Sequence, residues 1–277
     1  MGKMTTRRKL AIATWGPPRE GNIYGKLVVD AGPALAWMDY VKETTGKKLT
    51  MTQFVGKAVG LALADAPGLN GKLLWGAYVP HETVAVSYLV ALEGGKNLAK
   101  VKVDNIDKLT LSEIADALRA GAGTLRAGKD ENFKKSQGPL QILPTWIIRP
   151  LVWFTGWLTS SLGVEMKALG LEAYPFGACI ITSVGMFGLD EGFVPHTPFA
   201  RVPVYVLLGA LRDAAAVVDG EVVIQKQLTI TATIDHRFMD GSQGGVLAKR
   251  VREVFANPWL ADNLDAAPQD FSAAKAG

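Results

Sequence analysis

The sequence contains very little of what disulfide or metal chemistry needs. Only one of its 277 residues is cysteine, and three are histidine. A lone cysteine cannot close an internal disulfide, and no cysteine or histidine pair has the spacing of a zinc site. Cys179 stands in an apolar run, so we predict a small buried side chain there, with a catalytic thiol as the alternative. The sequence therefore predicts no metal site.

Other signals are missing too, and their absence argues against several classes of protein. The net charge is only +4, and no dense Lys/Arg block with interleaved aromatic residues occurs, so we predict no nucleic-acid partner. No phosphate loop of the Gly-x-x-x-x-Gly-Lys type is present. The N-terminus is charged and reaches Trp15 without an apolar signal segment, which predicts a cytoplasmic protein.

What is present is the composition of an ordinary globular protein, with 48% hydrophobic and 20% charged residues. Strand and helix patterns alternate along the chain, which predicts an α/β sandwich of helices packed on a mixed sheet. The predicted elements are strands at 23–30, 83–92 and 98–103, a helix between Pro33 and Gly46, helices opened by capping boxes at Thr50 and Thr110, and a hairpin that turns at Asp219-Gly220. We expect the helix after Thr110 to run towards Gly121.

The most informative stretch runs from Leu228 to Gly245. Apolar residues alternate strictly with threonines up to Ile234, which is the two-residue period of a β-strand. After Gly241 the apolar residues recur at helical spacing, with Ser242 as the expected N-cap. His236 therefore lies in a turn between a strand and a helix, where the backbone on both sides holds its Cα and leaves its ring exposed.

His236 is the first candidate for a general base. Imidazole has an unperturbed pKa near neutrality, so it can take a proton from a thiol or hydroxyl and return it to a leaving group. A structural, hydrogen-bonded histidine is the alternative, and only the surrounding residues argue against it. The other two histidines, His81 and His196, stand in loop-like, proline-flanked contexts. His196 is close to the second motif and could line the substrate channel, but we place it in a surface loop.

The residues around His236 carry a family resemblance. The string Asp-His-Arg-Phe-Met-Asp-Gly, from Asp235 to Gly241, resembles the His-Arg-x-x-Asp-Gly signature of the acyltransferase core of 2-oxo acid dehydrogenase complexes and of the related chloramphenicol acetyltransferases. The strand before it and the helix after it are the context that this family requires. The resemblance runs continuously from Phe176 to Pro258. Earlier in the chain, weaker matches occur in the same order as in the family, at Arg7-Arg8, Leu49-Thr50 and 111–115.

The resemblance implies a chloramphenicol acetyltransferase-like fold and transfer of an acyl group between dihydrolipoamide and coenzyme A. His236 aligns with the family's base. Thr182 takes the place of the serine that usually stabilises the oxyanion, although Ser183 is the alternative and both hydroxyls could simply end a strand. Substrate-binding roles are implied for Ser183, Gly185, Arg237 and Gly241, and we expect Gly241 to take a backbone conformation closed to other residues.

Asp240 matches an aspartate that holds the geometry of the family's active site. Its pairing partner could be Arg237, Arg7 or Arg8. The alternative is a simple turn residue before Gly241, which is compatible with the same contact.

The resemblance also implies partners. Coenzyme A would be a co-substrate, and the lipoyl group would come from another chain. A homotrimer, alone or within a higher assembly, would work with lipoyl-domain-bearing and dehydrogenase components. We expect one acyltransferase catalytic domain over 1–277, because no lipoyl domain, subunit-binding domain or Ala/Pro linker can be recognised.

One segment departs from the family pattern. A hydrophobic, Trp-rich insert at about 135–170 includes Trp146, Trp153 and Trp157. A transmembrane helix needs about 20 consecutive apolar residues, and Pro144, Arg149 and Pro150 interrupt this run. We favour packing of 139–166 against its own or a neighbouring subunit, with peripheral membrane contact or a partner-docking surface as the alternatives.

Two further functions remain open at this level. The chain could be a non-catalytic or specialised scaffold that keeps the core for assembly and uses the insert as its interface. It could also transfer acetyl from acetyl-coenzyme A to a small hydroxyl acceptor, as the chloramphenicol relatives do.

Overall fold

A computed structural model describes residues 21–92, 97–127, 143–239 and 241–271 of the chain. The strands in these ranges are β1 (Asn22–Asp30), β2 (Gly71–Leu74), β3 (Ala77–Pro80), β4 (Val86–Leu92), β5 (Asn97–Val103), β6 (Cys179–Ser183), β7 (Val204–Val218) and β8 (Glu221–Asp235). The α-helices are α1 (Gly32–Thr45), α2 (Met51–Asp65), α3 (Leu111–Arg126), α4 (Thr145–Gly156) and α5 (Gly241–Ala256).

Six strands form one mixed sheet in the order β1-β8-β7-β6-β4-β5, while β2 and β3 form a separate hairpin. β6 runs parallel to both β4 and β7, and the remaining pairs are antiparallel. The predicted α/β class with a mixed sheet is confirmed. β8, which ends just before His236, is an inner strand held by β1 on one side and β7 on the other.

The two faces of the sheet pack against different partners. Along β6, Cys179 and Ile181 join the main core, which also contains Trp37 and Phe54 from the helices. Ile180, between them, points to the opposite face and packs in a smaller cluster with Ala200, Val202 and Tyr205. Cys179 is completely buried, and burial raises the pKa of its thiol, so the prediction of a small buried side chain is confirmed.

The threonine row of β8 lies on the face away from the main core. Thr229, Thr231 and Thr233 are all buried, and the Thr231 hydroxyl donates to the carbonyl of Gly192. The stretch before β7 therefore covers this face near β8. Both faces of β8 are therefore covered along the second half of the strand, although its sequence alternates like that of a strand with one exposed face.

Most local sequence signals act as predicted. Both capping boxes are present, between Thr50 and Gln53 and between Thr110 and Glu113. Asp219 and Gly220 both have positive φ, as a two-residue hairpin turn requires. Two predictions are wrong in detail. α3 continues past Gly121 to Arg126, and Ser242 lies inside α5, which begins at Gly241.

The insert contains a short helix on the surface. α4 spans 12 residues and continues into a π-helical turn, Trp157–Ser161. In the part of the chain that the structure describes, no helix is both long and apolar enough to cross a bilayer.

Lys57 in α2 is a fully buried cation. Its Nζ donates to the carbonyl oxygens of Ile106 (3.2 Å) and Asp107 (2.6 Å) and to Asn263 Oδ1 (2.9 Å). Burial lowers the pKa of Lys57 to about 8, against a smaller opposite effect of nearby carboxylates, with Asp107 the first among them. The side chain ties α2 to the segment after β5 and to the end of the chain.

A Lys57→Met variant tests this burial through pH. Between about pH 8 and 10.5 the unfolded chain keeps the proton on Lys57 while the folded chain loses it, so the free energy of unfolding rises with pH relative to the variant. We expect a relative gain of about 1–2 kcal/mol from pH 7 to 10 in urea unfolding. A Lys47→Met variant, which removes an ion pair with Asp116, is the control and should show no such trend. A pH-independent difference for Lys57 would contradict the prediction.

Candidate active site

The strand-to-turn junction at the end of β8 is held by backbone hydrogen bonds. The Asp235 N–H donates to the Pro203 carbonyl (3.0 Å), and the His236 N–H donates to the Gly21 carbonyl (3.2 Å). Phe238 and Met239, further along the turn, are 8% and 6% exposed, so they anchor it in the core. His236 itself is exposed. The predicted position of His236, fixed at its Cα and open at its ring, is what the fold produces.

The His236 ring is oriented by a carbonyl group. Its Nδ1 lies 2.7 Å from the Met239 carbonyl oxygen. A carbonyl oxygen can only accept, so Nδ1 must carry the hydrogen in this contact. In the neutral ring Nε2 then has the free lone pair. The turn therefore presents a nitrogen that can accept a proton.

Asp235 and Arg237, on either side of His236, form a clamp across it. Asp235 Oδ1 accepts from the backbone N–H (2.9 Å) and the Nε (2.9 Å) of Arg237, while Oδ2 accepts from Nε (3.0 Å) and Nη2. Burial by itself raises the pKa of Asp235, but the hydrogen bonds and charge of Arg237 outweigh it, with a contribution from His196, so the net pKa is lowered. The carboxylate stays ionised and fixes the turn.

His196 lies in a loop, as predicted, but it is only partly exposed, and its ring packs edge-on against Tyr205 with centroids 4.7 Å apart. The Tyr205 hydroxyl accepts from the backbone N–H of Thr197 (3.2 Å) and donates to its carbonyl (3.3 Å). The sequence signal was the nearby pair of prolines, which marks a loop but not what covers it.

His81 is also less exposed than a surface-loop residue. It lines a small pocket together with Ser160, Tyr174 and Arg201, and its ring lies 5.5 Å from the Tyr174 ring. Burial, followed by the charges of Lys72 and Lys102, lowers the pKa of His81 to about 4. His81 is therefore neutral at pH 7.

The two candidate oxyanion donors lie at the end of β6. Thr182 is paired with Leu207 of β7, and Ser183 with Leu208. Both are partly exposed, and neither hydroxyl has a hydrogen-bond partner among the described residues. By the two-residue period Thr182 shares the face of Ile180, away from the main core, whereas Ser183 shares the face of Ile181. Both hydroxyls can donate, but towards opposite sides of the sheet.

One copy of the chain does not bring Thr182 and His236 together. Thr182 is level with Leu207, which is level with Thr231 on β8. Five residues of extended chain from Thr231 to His236 cover ~17 Å, and two strand spacings add ~10 Å sideways, which separates the two residues by ~20 Å. A base and a donor that serve one carbonyl group must lie within a few ångströms of it.

The remaining predicted site residues have different outcomes. Gly185 begins a 3₁₀ turn after β6, and a Cβ on it would lie 2.7 Å from the Gly209 carbonyl oxygen, so glycine is required by close approach. Gly241 is the first residue of α5, and a Cβ there meets nothing within 4 Å. No close approach therefore requires glycine there, and the expectation that the Gly241 backbone takes a conformation closed to other residues stays a prediction. Asp240, Arg7 and Arg8 lie outside the described residues, and their pairing stays a prediction.

The described residues contain no group of three or more His, Cys, Asp or Glu side chains that could hold a metal ion. The chemistry that this arrangement can carry out is proton transfer at His236 and hydroxyl donation at the end of β6.

The mixed six-stranded sheet with helices packed on it, and the histidine turn between β8 and α5, define an α/β fold with known structural relatives. A probable dihydrolipoamide acetyltransferase from Listeria monocytogenes has a similar structure, with a TM-score of 0.66, 17% identity, and coverage of 94% of this chain and 92% of that chain. The cubic core of a pyruvate dehydrogenase multienzyme complex gives 0.64, 16% identity, and coverage of 92% and 88%. A chloramphenicol acetyltransferase gives 0.50, 11% identity, and coverage of 91% and 95%. The predicted fold family is confirmed.

The sequence shows the family. Residues 24–137 and 164–261 match the model of the 2-oxoacid dehydrogenases acyltransferase catalytic domain, and the chain belongs to this family. The match leaves 138–163, which holds most of the insert, outside the family pattern.

Two curated relatives show how much of a longer protein this chain corresponds to. It is 24% identical over 220 residues to the dihydrolipoyllysine-residue acetyltransferase component of the pyruvate dehydrogenase complex of Acholeplasma laidlawii, covering 79% of this chain and 32% of the relative. It is 23% identical over 228 residues to a probable succinyltransferase component of the 2-oxoglutarate dehydrogenase complex of Schizosaccharomyces pombe, covering 80% and 40%. The chain spans less than half the length of either protein.

An Asp235→Asn variant tests the clamp. Loss of a buried carboxylate from a hydrogen-bonded ion pair should lower the free energy of unfolding at pH 7 by about 1–3 kcal/mol. Because the folded pKa is lowered, the carboxylate's contribution is present above the unfolded value of about 3.9 and is lost as the pH falls below it. The gap between protein and variant should therefore narrow in urea unfolding below pH 4.

The matched control for this experiment is Asp213→Asn. Asp213 pairs with Lys226 on the surface, with both side chains more than half exposed, so its loss should cost about 0–1 kcal/mol. Equal losses in the two variants would show that Asp235 and Arg237 do not stabilise the turn beyond an ordinary surface pair.

Proposed function

We propose that this chain is the catalytic portion of a dihydrolipoamide acyltransferase, which moves an acyl group between a dihydrolipoyl thiol and the thiol of coenzyme A. The observation that carries the proposal is the contact between His236 Nδ1 and the Met239 carbonyl, which leaves Nε2 free to accept a proton. Membership of the acyltransferase family and the names of the relatives supply the substrate class.

The reaction follows from general acid–base chemistry at His236. Nε2 removes the proton from the attacking thiol, and the thiolate adds to the thioester carbon to give a tetrahedral oxyanion. The oxyanion collapses, the carbon–sulfur bond of the leaving thiol breaks, and the imidazolium returns the proton to that sulfur. The sum is the exchange of one thioester for another, so no net redox change or additional reactant is needed.

A hydroxyl at the end of β6 stabilises the oxyanion, and we assign this role to Thr182. Its hydroxyl has no other described partner, and it lies on the face of the sheet away from the main core. Ser183 is the alternative donor, but it lies on the face that packs against the helices. The separation of ~20 Å within one chain supports a site formed by His236 of one copy and Thr182 of another.

Copies arranged around a threefold axis satisfy this requirement, because a head-to-tail contact repeats the same pair at every interface. We propose a homotrimer for this reason. Similarity to a cubic core supports assembly with further copies, and partners that bear lipoyl domains and dehydrogenase activity are part of the same proposal. Coenzyme A is a co-substrate. The residues proposed to lie along the substrate path are Arg237, Ser183, Gly185 and Gly241. A cytoplasmic location stays a prediction.

The first test is acyl transfer by the purified protein with acetyl- and succinyl-coenzyme A as donors and either dihydrolipoamide or chloramphenicol as acceptor. We expect transfer to dihydrolipoamide, and a His236→Ala variant should lose about 10²–10⁴-fold in kcat because it lacks the base. Transfer to chloramphenicol alone would replace the lipoyl assignment. Activity that persists in the variant would refute the base, and no transfer in any combination would favour the scaffold alternative.

The second test mixes two impaired variants. Thr182→Ala should lower kcat by about 10²–10³-fold, whereas Thr182→Ser keeps the donor and Ser183→Ala changes little. When His236→Ala and Thr182→Ala chains are co-assembled in equal amounts, about one quarter of the sites regain both groups if each site is shared between copies. Recovery of no activity in verified mixed assemblies would place both groups in one copy or exclude Thr182.

A further inference from the structure

α4 has an unusual relation to the solvent. Its inner face consists of Ile148, Val152 and Gly156, and Ile148 and Gly156 are buried. A Cβ on Gly156 would lie 2.4 Å from the Phe199 carbonyl oxygen, so the helix rests directly on the loop before β7. This close contact fixes which side of α4 faces outward.

The outward face of α4 is aromatic where a surface helix is normally polar. At helical spacing it presents Trp146, Pro150, Trp153, Phe154 and Trp157. Trp146 is 76% exposed, Phe154 58% and Trp153 39%. The helix therefore keeps apolar side chains in contact with solvent, although its opposite side already packs against the rest of the protein.

The β2–β3 hairpin adds a further tryptophan to this surface. Trp75 and Gly76 form the turn, both with positive φ, at a position where asparagine and glycine are the usual residues. Trp75 is 81% exposed, and its ring meets the Trp157 ring edge-on at 6.0 Å. We call Trp75, Trp146, Trp153, Phe154 and Trp157 the aromatic patch.

The sequence around α4 is basic. Residues 132–164 contain no aspartate or glutamate but contain Lys134, Lys135 and Arg149. The longer stretch 119–167 holds seven basic and three acidic residues, a net +4 that equals the net charge of the whole chain. Arg149 is exposed on α4 itself, beside the aromatic face.

We propose that the aromatic patch docks the protein on the surface of a membrane that contains anionic lipids. Tryptophan prefers the boundary between headgroups and acyl chains, because its ring is apolar and its N–H is polar. A short helix with apolar residues outward and basic residues around them lies in this boundary and is attracted to anionic headgroups. Arg149 can keep its guanidinium among the headgroups while the neighbouring rings enter the acyl region.

A second copy of the chain fits the patch less well. A symmetric contact between two copies would set the patch against itself. Arg149 would then face its own equivalent, with no acidic residue on α4 to pair with. A membrane with anionic headgroups supplies both the apolar layer and the missing charge.

The test is co-sedimentation of the intact protein with two kinds of vesicle, one of phosphatidylcholine and one of phosphatidylcholine mixed with phosphatidylglycerol. We expect binding to the mixed vesicles that weakens as salt is raised, and much less binding to phosphatidylcholine alone. A Trp146→Ser/Phe154→Ser variant should bind about tenfold or more weakly, because it loses two of the rings that enter the membrane. Arg149→Gln should reduce the preference for the anionic vesicles.

The control is Val222→Ser/Ile224→Ser, which removes two apolar side chains that are 74% and 84% exposed on β8, far along the chain from the patch. It should bind vesicles like the unaltered protein. Circular dichroism and light scattering establish that each variant is folded and record its mass. Absence of vesicle binding, or binding that the patch variant retains, would overturn the proposal. The proposal would also fail if the protein bound no vesicles and instead formed a large assembly that the patch variant alone could not form. The patch would then contact a second copy of the chain.

Discussion

The hydrogen bond from His236 Nδ1 to the Met239 carbonyl is the contact on which the proposed chemistry depends. It requires the chain to turn back within four residues of the end of β8, and the buried Phe238 and Met239 side chains hold that turn. The carboxylate of Asp235 closes the turn from the other side through Arg237. The nitrogen of the proposed base, on an exposed ring, is thus oriented by groups that are themselves buried, which is how a surface position can be rigid.

The sheet topology then determines where a second catalytic group can be. β6 and β8 run in opposite directions on either side of β7, so their carboxyl ends point to opposite edges of the sheet. A base after β8 and a hydroxyl at the end of β6 cannot meet in one copy, although both lie on neighbouring parts of the same sheet. Assembly is therefore a chemical requirement of the proposed mechanism and not only a matter of stability.

Sequence reasoning succeeded where a few adjacent residues determine the structure. The capping boxes at Thr50 and Thr110, the Asp219-Gly220 turn and the alternation in β8 depend on contacts within four residues or on the pleat. The family motif placed His236 in its strand-to-helix turn for the same reason. These features need no knowledge of the rest of the fold.

The missed features are of two kinds: contacts with residues further along the chain, and one local pair that the sequence does signal. His196 is covered because Tyr205 packs on it, and no local pattern encodes that. The missed local pair is Asp235–Arg237, since an aspartate two residues before an arginine in a turn is a recognisable signal. The outward direction of the α4 tryptophans depends on Gly156 meeting Phe199, which the apolar composition of the insert could not reveal.

The parallel pairing of β4 with β6 also explains how the chain tolerates extra residues. Val86 lies opposite Cys179, and of the 86 residues between Leu92 and Cys179 the 26 of 138–163 lie outside the family pattern, so the connection would span 60 residues without them. The entropy of closing a loop grows only with the logarithm of its length, and lengthening this one by the segment outside the family pattern costs a few tenths of a kcal/mol. A crossover that is already long is thus a place where evolution can add a new surface with little thermodynamic penalty.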